Sequence, residues 1–166
     1  MTNKSDVYEA LWRPAQVNRE WATAIDGVAC ALRDVEPTVR LEHRGPGQIS
    51  GCVWTFFVDE EGRGRGPRLD GWPVGAAAMW EVAFSYRGPF ITALSWHDPK
   101  LPADKVTCPK LVRLVQKVAR ALGLTYLDAH EMGDWEIPWD ELQGDAEMRL
   151  DYSDTATAFN LLFYEH

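Results

Sequence analysis

From Ala78 to Arg87 the chain alternates without a break, with Ala78, Trp80, Val82, Phe84 and Tyr86 on one side and Met79, Glu81, Ala83, Ser85 and Arg87 on the other. A repeat of two is the repeat of a β-strand, and it is the cleanest such pattern in the chain. Arg87, Gly88 and Pro89 then form a turn signal, and 90–96 reads as the returning strand, so the two segments predict antiparallel neighbours. Two more strands are predicted before them. One is short, over 39–42; the other covers 49–58, after a break at Gly45, Pro46 and Gly47. The Gly- and Pro-rich stretch 59–75 reads as a long loop.

Helical periodicity appears on either side of this sheet. Val17, Trp21, Ala24, Val28, Leu32 and Val35 recur in steps of three and four, from Pro14 in the first turn to Pro37 as terminator, with Gly27 as a weak point inside. A second stripe, Leu111, Leu114, Val115, Val118 and Leu122, predicts a helix over Pro109–Leu122, closed by Gly123. Residues 124–127 read as a short strand, and 138–142 as a helical turn. Residues 155–163 read as a last short helix capped by Ser153 or Asp154, with an edge strand as the alternative, because Phe159 to Tyr164 is apolar enough for either. The order α-β-β-β-β-α-β-α predicts one α+β domain over residues 1–166: a mainly antiparallel sheet of four to five strands with two long helices and a short C-terminal helix packed on it.

The 166 residues are 46% hydrophobic and 25% charged, enough apolar material for a real core and too much for a disordered chain. Three cysteines, Cys30, Cys52 and Cys108, are an odd number in a chain with a full-sized core, which argues for a reducing compartment, the cytoplasm. The polar start shows no secretory signal, and no apolar run reaches the length of a membrane helix.

The net charge of −8 is not spread evenly. Residues 1–127 carry 14 acidic and 16 basic side chains; residues 128–166 carry 11 acidic ones and a single basic one, Arg149. The overall sign speaks against nonspecific nucleic-acid binding, which needs a basic surface. The acidic quarter also holds Trp135, Trp139, Met132, Met148, Tyr152 and Tyr164. Carboxylates steer a basic partner and aromatics anchor it, so Trp135, Glu136, Trp139, Asp140 and Glu141 are the candidate partner-binding face. The plainer reading is an acidic, solubilising loop whose tryptophans close the core.

Other chemistry is thinly represented. His97 and the group His130–Glu131 follow predicted strands and are candidates for a metal site or an acid–base pair, but their spacing matches no metal-ligating motif. Cys108 precedes a helix, where a thiol is activated, without the surroundings of a catalytic cysteine; the alternative is a small packed residue. The run Gly62, Arg63, Gly64, Arg65, Gly66, Pro67, Arg68 hints at phosphate or RNA binding but lacks the phosphate-loop pattern, and a solvated loop beside Glu60 and Glu61 is the simpler reading. No serine sits in a hydrolase elbow.

The run Ala121-Leu122-Gly123-Leu124-Thr125-Tyr126-Leu127-Asp128, the acidic stretch after it, and Ala158-Phe159-Asn160-Leu161-Leu162-Phe163 near the end resemble the closing part of small bacterial immunity proteins of polymorphic toxin systems. The resemblance covers the last quarter of the chain. It implies a cytoplasmic, non-catalytic protein without a cofactor that binds a cognate basic toxin, often a nuclease, and blocks it. Two alternatives stand beside it: a small metal-dependent or acid–base enzyme using His97, His130 and Glu131, and a dimeric scaffold that buries its aromatics against a second copy.

Overall fold

The computed structural model describes residues 4–13, 19–34, 36–37, 39–42, 51–66, 72–97, 108–138 and 155–163. Within them the protein is α+β, built on a mostly antiparallel sheet. The strands are β1 (Arg40–Glu42), β2 (Gly51–Val58), β3 (Gly64–Arg65), β4 (Ala78–Ser85), β5 (Phe90–His97) and β6 (Thr125–Tyr126). They run in the order β1-β2-β4-β5-β6, with β3 paired beside β2. The predicted hairpin is β4 and β5, antiparallel, with Trp80 opposite Ser95 and Met79 opposite Trp96. β6 is the exception: it is parallel to β5, with Phe90 opposite Thr125 and Ile91 opposite Tyr126. A parallel neighbour requires a crossover, supplied by the helix α3 (Pro109–Leu122) between the two strands.

Helix α3 starts with Pro109 after Cys108 and ends at Gly123, whose φ of 68° lies in the left-handed region. Its N–H closes onto the carbonyls of Ala119 and Arg120, a helix end that suits glycine. Alongside lies α2 (Arg19–Arg33). Gly27 in its middle weakens the helix intrinsically, but a Cβ there would sit 2.8 Å from a methyl of Leu122; the two helices approach closely at this point.

The alternation of the strands divides the interior into two cores. One face of the sheet, with Trp54, Phe56, Trp80, Val82, Phe84 and Ile91, packs against Ile25, Val28 and Leu32 of α2 and Leu111, Val115 and Val118 of α3. The opposite face presents Val53, Ala83 and Phe90 to a second layer. That layer is formed by α1 (Lys4–Leu11), α4 (Ala129–Gly133) and α5 (Ala158–Phe163), and by a small antiparallel ribbon of β7 (Glu136–Pro138) and β8 (Thr155–Thr157). Arg87, in the turn after β4, fastens it: its guanidinium donates to the carbonyls of Leu11, the last residue of α1, of Arg13 just after it, and of Leu161 in α5.

The helix predicted from Pro14 begins at Arg19 in the described residues; Pro14 and Val17 lie outside them. The final helix starts at Ala158, because Thr155–Thr157 pairs with β7 instead. Pro138 ends β7, and the rest of the predicted turn over 138–142 lies outside the described residues, as do the predicted caps Ser153 and Asp154. No helix among the described residues is long and apolar enough to cross a membrane.

Candidate functional site

β6 is much shorter than β5 beside it, and the site follows from that mismatch. After Tyr126 the chain leaves the sheet: Leu127 is buried, and Asp128 caps α4, its carboxylate accepting the N–H groups of His130 and Glu131 at 2.9 and 3.1 Å. An aspartate at this position satisfies orphan donors of the first turn and complements its dipole. Beyond the point of departure lies a cavity of about 230 Å³. β5 contributes Ala93, Leu94, Ser95 and Trp96; the beginning of α3 contributes Cys108, Leu111 and Val112; Tyr126, Asp128, Ala129 and His130 complete the wall.

The wall is largely apolar, and its polar groups are specific. Trp96 is 51% exposed, the most exposed aromatic among the described large hydrophobic side chains. Ser95 Oγ is buried with no hydrogen-bond partner. Burial, and after it the Asp128 carboxylate, push the Tyr126 phenol up to about 12. From Asp128 in the cavity wall onward, Asp128, Glu131, Asp134 and Glu136 are all exposed, four carboxylates within nine residues that run from the cap of α4 into β7.

Trp135 packs against the second core, half-buried, with the Lys4 ammonium 5.5 Å from its ring centroid. Glu136 is exposed at the start of β7, opposite Thr157. Trp139, Asp140 and Glu141 lie outside the described residues. His97 ends β5, opposite Ala78. His130 and Glu131 are exposed on α4, and of the two only His130 lines the cavity. Among the described residues no group of three or more His, Cys, Asp or Glu side chains is placed to hold a metal ion. Cys108 is half-buried in the cavity wall before α3 and gives the helix no side-chain cap.

The arginine-rich loop is tied to itself. β2 and β3 form a hairpin around Asp59, whose carboxylate accepts the N–H groups of Glu61 and Arg63, the Arg63 guanidinium at 3.0 Å and the Arg65 guanidinium at 2.9 Å. Burial pushes the Asp59 carboxyl up. The hydrogen bonds from Arg63 and the charges of Arg63 and Arg65 outweigh it and hold the group down at about 2. Both arginines are engaged by carboxylates here; Arg68 lies outside the described residues.

Sequence reasoning located the acidic quarter but missed the cavity and Trp96. The available signal was the shortness of the strand segment predicted at 124–127, four residues at most, against the seven predicted for 90–96; that the two pair is visible only in the structure. No family model matches the chain, and neither the curated proteins nor the solved structures include a significant match.

Proposed function

We propose that this is a non-catalytic binding protein of the immunity type, which engages a basic protein partner, a toxin or nuclease effector, through the surface formed by α4, β7 and the adjoining cavity. The observation that carries the reading is the run of exposed carboxylates Asp128, Glu131, Asp134 and Glu136, the first of which lines an apolar cavity that a half-exposed tryptophan, Trp96, also lines. Exposed charges steer association and set orientation, while an aromatic in an apolar hollow supplies the anchor. Glu136 belongs to this surface; Trp135 supports it from the second core.

The test is a low-salt pull-down from native lysate, eluted by a salt step, with wild type compared with the triple variant Glu131→Lys, Asp134→Lys, Glu136→Lys. A single basic protein retained by wild type and lost from the variant supports the reading. Equal retention of that protein by both refutes the surface assignment.

A small enzyme using His97, His130 and Glu131 is the alternative. One observation favours it: His130 stands at the cavity wall, where a small molecule would be held. Elemental analysis of tag-free protein checks its metal-dependent form, with stoichiometric zinc or iron as the positive result.

A further inference from the structure

We propose that the edge of β5 beyond β6, which no other described strand covers, is a strand-docking slot, in which an extended, basic segment of the partner hydrogen-bonds to Ala93 and Ser95 and so extends the sheet. This deepens the reading above and rests on it.

The main-chain bonding fixes which groups are on offer. Thr125 donates its N–H to the Pro89 carbonyl at 2.8 Å, and Leu127 donates to the Ile91 carbonyl at 2.9 Å. Polar groups of alternate residues in a strand face the same edge, so those of Ala93 and Ser95 face the edge that β6 has just left. The Leu127 carbonyl accepts the Thr92 hydroxyl at 2.8 Å, and the chain then turns into α4. Among the described residues, no main-chain partner follows on that edge of β5.

The cavity lies on this edge. Its lining includes the four consecutive residues 93–96 of β5. The rest of the lining comes from both sides of that edge, Cys108, Leu111 and Val112 at the start of α3 and Tyr126, Asp128, Ala129 and His130 where the chain passes from β6 into α4, which places the hollow beside the edge. Residues 93–96 offer about 13 Å of edge, at roughly 3.3 Å per residue. Ser95 Oγ, buried and unpaired, adds a polar group to the slot, and Trp96 an anchor at its end. Pairing of this kind takes affinity from the main chain and specificity from pockets for alternate side chains.

Charge complementarity selects the occupant. The α4 side of the slot carries the exposed carboxylates, whereas α3 on the other side carries Lys110, Arg113, Lys117 and Arg120 and no carboxylate. The docked strand therefore turns its basic side chains toward α4. A second copy of this chain, with a net charge of −8 and the same carboxylates beside its own edge, fits poorly.

The test uses the full chain labelled with 15N and a blocked hexapeptide alternating Lys and Val, at low salt. Amide exchange at Ala93 and Ser95 is expected to slow by about tenfold or more with the peptide, and not with a control peptide carrying Pro in place of two Val. Ser95→Pro removes an N–H that faces the slot, a position where a strand tolerates proline, and is expected to weaken peptide binding about tenfold. If that variant does not fold, the exchange measurement on the wild-type chain decides alone. Shifts confined to Glu131, Asp134 and Glu136, with Ala93 and Ser95 unchanged, overturn strand docking and leave the charged-surface reading standing. No shift anywhere overturns both. Protection of Ala93 and Ser95 that grows with protein concentration alone assigns the edge to a second copy and overturns the choice of occupant.

Discussion

Replacing Arg87 by Met tests how the second layer is held to the sheet. The substitution keeps most of the aliphatic stem and removes the guanidinium, which donates to Leu161 at 3.0 Å, to Leu11 at 3.2 Å and to Arg13. Leu11 is the last residue of α1, and Leu161 lies among the last four of α5, so neither carbonyl has a partner within its own helix. A hydrogen bond from a charged donor contributes about 1.5–3 kcal/mol net when its acceptor is otherwise dry, and less where water can replace it. The bond to Arg13 is exposed and the other two are partly buried, so a total of about 3 kcal/mol is expected. For a chain of this size that lowers Tm by roughly 6–12 °C. Urea unfolding followed by tryptophan fluorescence measures it, with an unchanged slope confirming that stability rather than compactness has moved. Hydrogen exchange should rise first in α1 and α5, because the lost bonds are theirs. A change below about 0.5 kcal/mol, the ordinary scatter of surface substitutions, or exchange that rises equally in α2 and α3, refutes the reasoning.

Asp59, held down at about 2 against an unfolded value of about 3.9, contributes stability that is complete above about pH 4 and disappears as pH falls through about 2; urea midpoints of wild type and Asp59→Asn should therefore converge across that window. Burial, only partly offset by a hydrogen bond with Tyr86, pushes the Cys52 thiol up to about 12, so a thiol reagent at pH 8 should modify Cys30, which is exposed, and Cys108, which is half-buried, and reach Cys52 only on unfolding. Tyr126 is raised to about 12 by burial and then by Asp128. Its contribution to stability is complete below the unfolded value of about 10 and lost as pH rises toward 12, and Asp128→Asn should lower its tyrosinate absorbance midpoint while leaving it above 10, since burial is the larger cause.

The centre of the sheet was legible because β4, though buried on both faces, sets its aromatic and β-branched side chains against α2 and α3 and smaller or polar ones such as Ala83 and Ser85 on the other side, which writes a period of two into local sequence. The alternation of 78–87 and the turn at Gly88 and Pro89 needed no knowledge of the rest of the chain. The stripe of α3 and its glycine end were readable for the same reason. Helix α1 was not, because Lys4–Leu11 carries only Val7, Ala10 and Leu11 as buried residues, too few to make a period. What ties its end is Arg87, more than 70 residues away. β7 and β8 are three residues each and exist as strands only through each other, at a separation that no local pattern records. Trp135 shows the same limit: composition marks it as an aromatic among acids, while the second core and Lys4 decide where it rests. The cavity was illegible for a different reason. It is defined by the place where β6 stops, and a propensity of short segments does not fix where a strand's partner ends.

An open sheet edge invites indiscriminate pairing, and proteins commonly guard such edges with charge. The distribution of charge around β5 is selective in that sense. The acidic surplus of the chain lies in its last 39 residues, and the first part of that stretch is the segment that leaves the sheet beside the open edge. In the proposed docking, another acidic chain, including a copy of this one, meets like charge on approach, whereas a basic segment is drawn in and oriented. Specificity then comes as much from what the carboxylates repel as from what they attract. The apolar wall and Trp96 act only after approach, at short range, where burial of apolar surface outweighs screened charge. On this view the truncation of β6 and the acidity of α4 are one feature of the proposed docking: the turn that takes the chain away from β5 also brings the exposed carboxylates of Asp128 and Glu131 into the segment that follows, where they would set which segment approaches.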